Sequence, residues 1–215
     1  MKSKAHTRYT LPDGKTRLPG VTTITGQLGW NKQILVNWAN KKGLAGINTT
    51  KYVDNLADIG TLAHEIVTNS LLNKATDMDD YSKNQIGLAQ NSANSFFKWV
   101  KGKKIKPILV ETPLISILLE FGGTPDIFAE VDGVNELIDL KTGSGIYREM
   151  VVQTSGYKYL LKTNGHTVDK VRILNIPRTE GESFMEKEIT PEAGNAAWEI
   201  FTHCLQIHKL RKELR

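Results

Sequence analysis

Apolar residues between positions 31 and 101 recur every three or four residues, and beyond position 105 they gather into short runs rich in Ile, Val, Leu and Phe. The first pattern predicts three helices. Residues 31 to 42 form one, with Asn31 as its N-cap and Gly43 as its stop. Residues 51 to 73 form the next, with Val53, Ala57, Gly60, His64, Val67 and Leu71 on one face. Residues 80 to 101 form the third, ending at Gly102. The second pattern predicts strands over 105 to 120, 123 to 131 and 134 to 141. Helical spacing returns over 147 to 163, and strands follow at 169 to 177 and 183 to 189. A helix over 191 to 213 comes last, with Ala197, Phe201, Cys204, Leu205 and His208 sharing a face. Residues 8 to 25, broken by Pro12, Gly14, Pro19 and Gly20, are expected to be irregular or briefly extended.

This order of elements implies an α/β or α+β domain with a mixed sheet and an N-terminal helical lobe. A length of 215 residues fits one domain, divided into an N-terminal segment and lobe (1–104) and an α/β core (105–215). The net charge of +5 is compatible with a polyanionic partner without requiring one. Cys204 is the one cysteine, so no intramolecular disulfide can form and a reducing, cytoplasmic setting is the simpler expectation. The stretch MKSKAHTRYTLPDGKTRLPG has no apolar leader core, and no segment approaches the ~20 apolar residues of a membrane span.

The chemistry gathers around GTPDIFAEVDGVNELIDLKTG. Asp132-Gly133 is a two-residue hairpin signal. With that turn, Val131 faces Val134, Glu130 faces Asn135, Phe128 faces Leu137 and Asp126 faces Asp139. Two carboxylates then stand opposite one another, which destabilises a sheet unless a cation lies between them. Oxygen ligands of this kind suit a divalent metal. Lys141 falls two residues past Asp139, on the same side of the strand, where a lysine orients a metal-bound water as the ammonium or deprotonates it as the amine. The competing reading is an exposed hairpin face. Phe128 and Leu137, which share the face with the aspartates, argue against it.

The same residues read as PD…DxK: Pro125-Asp126, then Asp139-Leu140-Lys141. This resembles the PD-(D/E)XK nuclease superfamily, and in particular its RecB-type exonuclease branch. Gly123-Thr124-Pro125-Asp126 and Ile138-Asp139-Leu140-Lys141-Thr142 are similar to that branch's two central motifs. Gly60-Thr61-Leu62-Ala63-His64-Glu65 resembles its upstream helical motif, and Gln153-Thr154-Ser155-Gly156-Tyr157 its downstream Q-x-x-x-Y motif. Gly20-Val21-Thr22-Thr23-Ile24, with Leu35, Trp38 and Ala39, looks like the opening of phage and mitochondrial-genome-maintenance exonucleases. The resemblance runs from about residue 20 to about 160; the last stretch carries no matching motif.

The resemblance implies a restriction-endonuclease-like core: a central mixed β-sheet flanked by helices. It implies Mg²⁺ or Mn²⁺ held by His64, Asp126, Asp139 and the main-chain carbonyl of Leu140, with Asp126, Asp139 and Lys141 catalytic. It implies that Gln153 and Tyr157 position a DNA strand, and Arg148 is the phosphate contact best placed by position. The expected activity is a metal-dependent DNA exonuclease acting on single-stranded DNA or DNA ends, in phage recombination or in repair. A recombination or single-strand-binding protein is an expected partner, and the cytoplasm, the host's if the chain is viral, the expected setting. A structure-specific endonuclease and a non-catalytic DNA-binding module are the alternatives.

Glu111 stands apart from this set, as a partner of Lys141 or a structural ion pair. Glu130 and Glu136 are expected to be solvated hairpin charges. Trp30, Trp38, Trp99 and Tyr147 are of the type that stacks on bases, with core packing the ordinary alternative. The lysines at 41–42 and 101–106 and the basic end at 208–212 are solvated faces unless a phosphate backbone uses them. Gly14-Lys15-Thr16 ends like a P-loop, but Tyr9 stands where a glycine is required.

Overall fold

The structure, a computed structural model, describes residues 7–214. The first six residues and residue 215 of the expected single domain lie outside the described residues.

A central sheet of five strands runs in the order β3 (Ile105–Val110), β6 (Ile127–Val131), β7 (Val134–Lys141), β8 (Lys170–Asn175), β9 (Met185–Glu188). Every neighbouring pair is antiparallel except β7 with β8. That parallel pair needs a crossover, which α5 (Arg148–Thr163) supplies. The expected mixed sheet flanked by helices is therefore what the chain forms.

Both faces of the sheet are covered, and strand alternation decides which side chain goes where. On one face Ile127, Ala129, Ile138, Leu140, Leu174 and Ile176 pack against Val67 of α3 (Thr49–Leu71) and Ala93 and Phe96 of α4 (Lys83–Val100). On the other, Phe128, Leu137 and Val171 pack against α1 (Val21–Thr25), α5 and α6 (Pro191–Glu213). Ala197, Phe201, Cys204 and Leu205 are the buried residues of α6, the stripe expected from spacing. Ser82 and Gln85 close a capping box on α4, and Thr190 caps α6 ahead of Pro191.

Several boundaries differ from expectation, each for a local reason. Residues 8 to 25 contain the two-stranded pair β1 (Tyr9–Thr10) and β2 (Arg17–Leu18) and the five-residue α1, too short for periodicity to reveal. The strand expected over 105 to 120 breaks into β3 and β4 (Leu114–Ser116), and the one expected over 123 to 131 is divided between the end of β5 (Phe121–Gly123) and β6. Glu111 and Glu120 adopt positive φ and turn the chain at two of those breaks. The first long helix, α2 (Lys32–Leu44), passes through Gly43 rather than stopping there. Asn31 sits at its N-cap position without capping it, because its side-chain amide donates to Glu149 of α5 instead. The buried stripe of α3 is Ile59, Leu62, Ala63, Val67 and Thr68, rotated from the expected face, so Val53 and Ala57 are exposed. Gly14 lies in a turn at φ +67°, with no helix following Thr16, which removes the P-loop geometry.

Glu136 is a correction of another kind. It is 3% exposed and receives two hydrogen bonds from Arg172, at 2.8 and 3.1 Å. A charge expected in solvent is instead half of a buried, bidentate pair, because β8 brings Arg172 beside it from a part of the sequence that hairpin reasoning does not reach.

Candidate metal centre

Asp132 (φ +49°) and Gly133 (φ +86°) form the left-handed two-residue turn, and the β6–β7 register follows from it. Val131 pairs with Val134, Glu130 with Asn135, Phe128 with Leu137 and Ile127 with Ile138. The ladder ends there. Asp126 lies one residue before β6, and its Oδ2 accepts the Leu140 N–H at 2.7 Å. Asp126 thus terminates β6 by using its side chain where the ladder would continue.

Three elements converge on this end of the hairpin. His64, on α3, places Nδ1 3.5 Å from Asp126 Oδ1. Glu111, just past β3, donates its N–H to the Asp126 carbonyl at 3.0 Å. One ligand atom from each of His64, Glu111 and Asp126 lies within 4.8 Å of the others. Asp139 stands outside that set and faces Lys141, whose Nζ is 2.5 Å from Asp139 Oδ2. Glu111 is therefore the residue that sequence reasoning set aside and folding brings in. Its signal was available only as an acidic residue between a strand and a proline.

The charges are crowded: Asp139 is buried, His64, Asp126 and Lys141 are half-buried and Glu111 is exposed. Burial and the neighbouring Asp126 carboxylate outweigh Lys141 and push Asp139 up to about 6. Burial would also raise Asp126, but His64, Lys141 and the Leu140 N–H hold it below its ordinary value. Burial lowers His64 and Lys141, and the facing carboxylates more than reverse this, so both titrate above their usual ranges. Asp139 is 1% exposed, and the Lys141 ammonium, 2.5 Å from Oδ2, is the close partner of its carboxylate, which leaves lone pairs on both oxygens. A buried carboxylate with free lone pairs beside a His–Glu–Asp cluster is a donor set that fits a divalent cation. The hard oxygens suit Mg²⁺ or Mn²⁺, and the imidazole favours Mn²⁺.

The remaining expected residues are distributed around this centre. Gln153 Nε2 donates to Tyr157 Oη at 2.8 Å along one face of α5. Burial, then the charges of Asp139 and Asp126, raise the Tyr157 hydroxyl well above its ordinary value, so its ring lies within the field of the pair. Arg148 opens α5 and is exposed, so the fold leaves it facing solvent rather than the cluster. Gly60 and Thr142 explain how α3 reaches β7: a Cβ on Gly60 would lie 2.8 Å from Thr142 Oγ1, so only glycine allows this approach without displacement. Among the aromatic residues, Trp99 is core, Trp38 packs against Tyr52, and Trp30 and Tyr147 are exposed.

Tyr9 was not legible as part of the neighbourhood. Its hydroxyl hydrogen-bonds Thr124 Oγ1 at 2.8 Å, across 115 positions, and burial with the Glu111 charge raises it. Its ring lies where a Cβ on Gly122 would be, 2.3 Å from Cγ.

No family model matches the chain, and no curated protein matches it. Among solved structures, a "putative exonuclease" from Eubacterium rectale is similar at 11% identity with a TM-score of 0.45. The similarity covers 71% of this chain and 65% of that one, under two thirds of its length. No helix among the described residues is long and apolar enough to cross a membrane.

Proposed function

We propose that this protein is a metal-dependent deoxyribonuclease of the PD-(D/E)XK superfamily, an exonuclease of its RecB-type branch. The observation that carries this reading is Asp139: a buried carboxylate held against the Lys141 ammonium at 2.5 Å and set beside His64, Glu111 and Asp126. Asp126, Asp139, His64 and the main-chain carbonyl of Leu140 hold Mg²⁺ or Mn²⁺, and Glu111 joins them. When bound, the cation acts as a Lewis acid on the scissile phosphate and lowers the pKa of a bound water. Lys141, kept protonated by the carboxylates around it, orients the attacking water and offsets charge developing on the phosphate. Gln153 fixes the direction of the Tyr157 hydroxyl, and the two position the strand. Arg148, exposed at the start of α5, is placed to meet a backbone phosphate.

The substrate in this reading is single-stranded DNA or a DNA end, handled in recombination or repair with a single-strand-binding or recombination protein nearby. The helical lobe, residues 31 to 101, covers the site, and the α/β core that follows carries the sheet.

The test uses linear and circular DNA, single- and double-stranded, labelled at either end, with Mg²⁺, Mn²⁺ or EDTA. Shortening of linear DNA only, dependent on metal and lost in Asp139→Ala, is the expected result. Cleavage of the circle makes it an endonuclease. DNA binding unaffected by EDTA, with no product, makes it a binding module. Normal activity in Lys141→Ala rules out the role assigned to that ammonium group.

A further inference from the structure

The parallel pairing of β7 with β8 sets Lys141 beside Asn175. Register partners on parallel strands project to the same face, and the neighbouring positions agree: Leu137 and Val171 share one core, while Leu140, Leu174 and Ile176 share the opposite one. Asn175 is 1% exposed, and neither its amide oxygen nor its amide nitrogen has a hydrogen-bond partner among the described residues. On its other side stands Met185 of β9, and Gly145 of the loop after β7 lies against the Met185 sulfur. Across the sheet, Asn175 thus has a thioether on one side and the Lys141 ammonium chain on the other.

A buried amide without a partner carries its desolvation penalty unrepaid, and folded proteins contain few of them. Its neighbour Lys141 is drawn to Asp139, 2.5 Å from Oδ2. Two acceptors therefore flank one ammonium group, and the Asn175 oxygen is the one left without a donor. Only one of them, Asp139, is in the ligand set proposed above.

We propose that Asn175 is a positioning residue for Lys141. Once Asp139 is engaged as a ligand, the Lys141 ammonium leaves it, and the Asn175 amide oxygen accepts one of its N–H bonds. Lys141 is then held over the reacting phosphate with its remaining protons directed at the water and the phosphate oxygens. This inference rests on the nuclease reading for its consequence, while the contact itself is a property of the fold.

The experiment compares wild type with Asn175→Leu, which is close in size and has no acceptor, and Asn175→Asp, which keeps one. Three quantities are measured: kcat and KM on a linear oligonucleotide, thermal stability, and the ¹⁵Nζ resonance of Lys141 with Mg²⁺ alone. In Asn175→Leu, kcat falls at least about tenfold with KM within about twofold, the pattern of a lost transition-state interaction. Its thermal stability is not lowered, since an unpaired amide has been removed, and its Mg²⁺-loaded Nζ resonance moves from the wild-type position. Asn175→Asp restores at least about a third of the lost kcat, on the order expected when an acceptor remains. A kcat for Asn175→Leu within about twofold of wild type, or an Nζ resonance that does not move, overturns the proposal. If wild type cleaves no DNA, the nuclease reading fails and the Nζ resonance alone decides the contact.

Discussion

Asp126 Oδ2 accepts the Leu140 N–H at 2.7 Å, so one carboxylate both ends a strand and faces the cluster. Its two oxygens have separate duties, since Oδ1 lies 3.5 Å from His64 Nδ1. Asp126→Asn keeps an oxygen acceptor for Leu140 and loses the charge. The melting temperature should stay within a few degrees of wild type (roughly 1 kcal/mol). Nuclease turnover should fall at least about 100-fold, as for loss of a group that stabilises the transition state. Calorimetric melting and a gel assay on the same preparation check both halves.

Asp139 sets a pH dependence whose sign follows from its surroundings. Its folded-state value of about 6 lies above the ordinary 3.8, so the folded protein binds a proton that the unfolded chain releases. The stabilising contribution is full below 3.8 and is lost as pH rises through about 6. His64, also raised, acts in the same direction. Asp126, lowered, acts oppositely, but only below 3.8. Metal-free protein in EDTA should therefore melt higher at about pH 5 than at about pH 7.5, and Asp139→Asn should flatten the difference. Mn²⁺ binding should show the reverse trend, weakening as pH falls through about 6, because Asp139 must ionise to bind.

Glu111 is the candidate ligand that folding adds to those expected from sequence. Glu111→Gln preserves its main-chain bond to Asp126 and removes a charge from the His64–Glu111–Asp126 set. Mn²⁺ affinity measured by titration calorimetry should drop about tenfold or more, in the range seen when metal-site partners are altered. Unchanged affinity would assign Glu111 to a structural role.

Far from the cluster, the Glu136–Arg172 pair makes a separate claim about stability. Arg172→Met leaves Glu136 charged and 3% exposed with its two donors gone. Urea denaturation should show a loss of about 3 kcal/mol. The double variant Arg172→Met, Glu136→Leu should recover most of it, because the cost lies in the orphaned carboxylate.

How far the sequence carried depended on range. The hairpin was legible because Asp132-Gly133 dictates its own turn and alternation does the rest, so Phe128 met Leu137 as expected. The α6 stripe was legible because Thr190-Pro191 marks its start and its apolar spacing is regular. Contacts that depend on distant segments were not. Arg172 reaches Glu136 through the crossover, Tyr9 reaches Thr124 from the far end of the chain, and Asn31 forsakes its helix for Glu149. Even the face of α3 was set by its neighbours: α4 and the segment ahead of it, with Met78 and Tyr81, pack on Ile59 and Leu62, while Val53 is exposed. For the candidate centre, sequence spacing assembled Asp126, Asp139 and Lys141, while Glu111 and Asn175 entered only through the strand order.

That strand order has a consequence for the timing of activity during synthesis. β7 lies between β6 and β8, and β8 is made after α5, at positions 170–175. A chain still emerging from the ribosome can present His64 long before Asp139 has a completed strand beside it. On the proposed function, the nascent chain stays inert towards DNA while it is tethered to the ribosome. It gains the power to cut only when the strand carrying Asn175 has been delivered and docked.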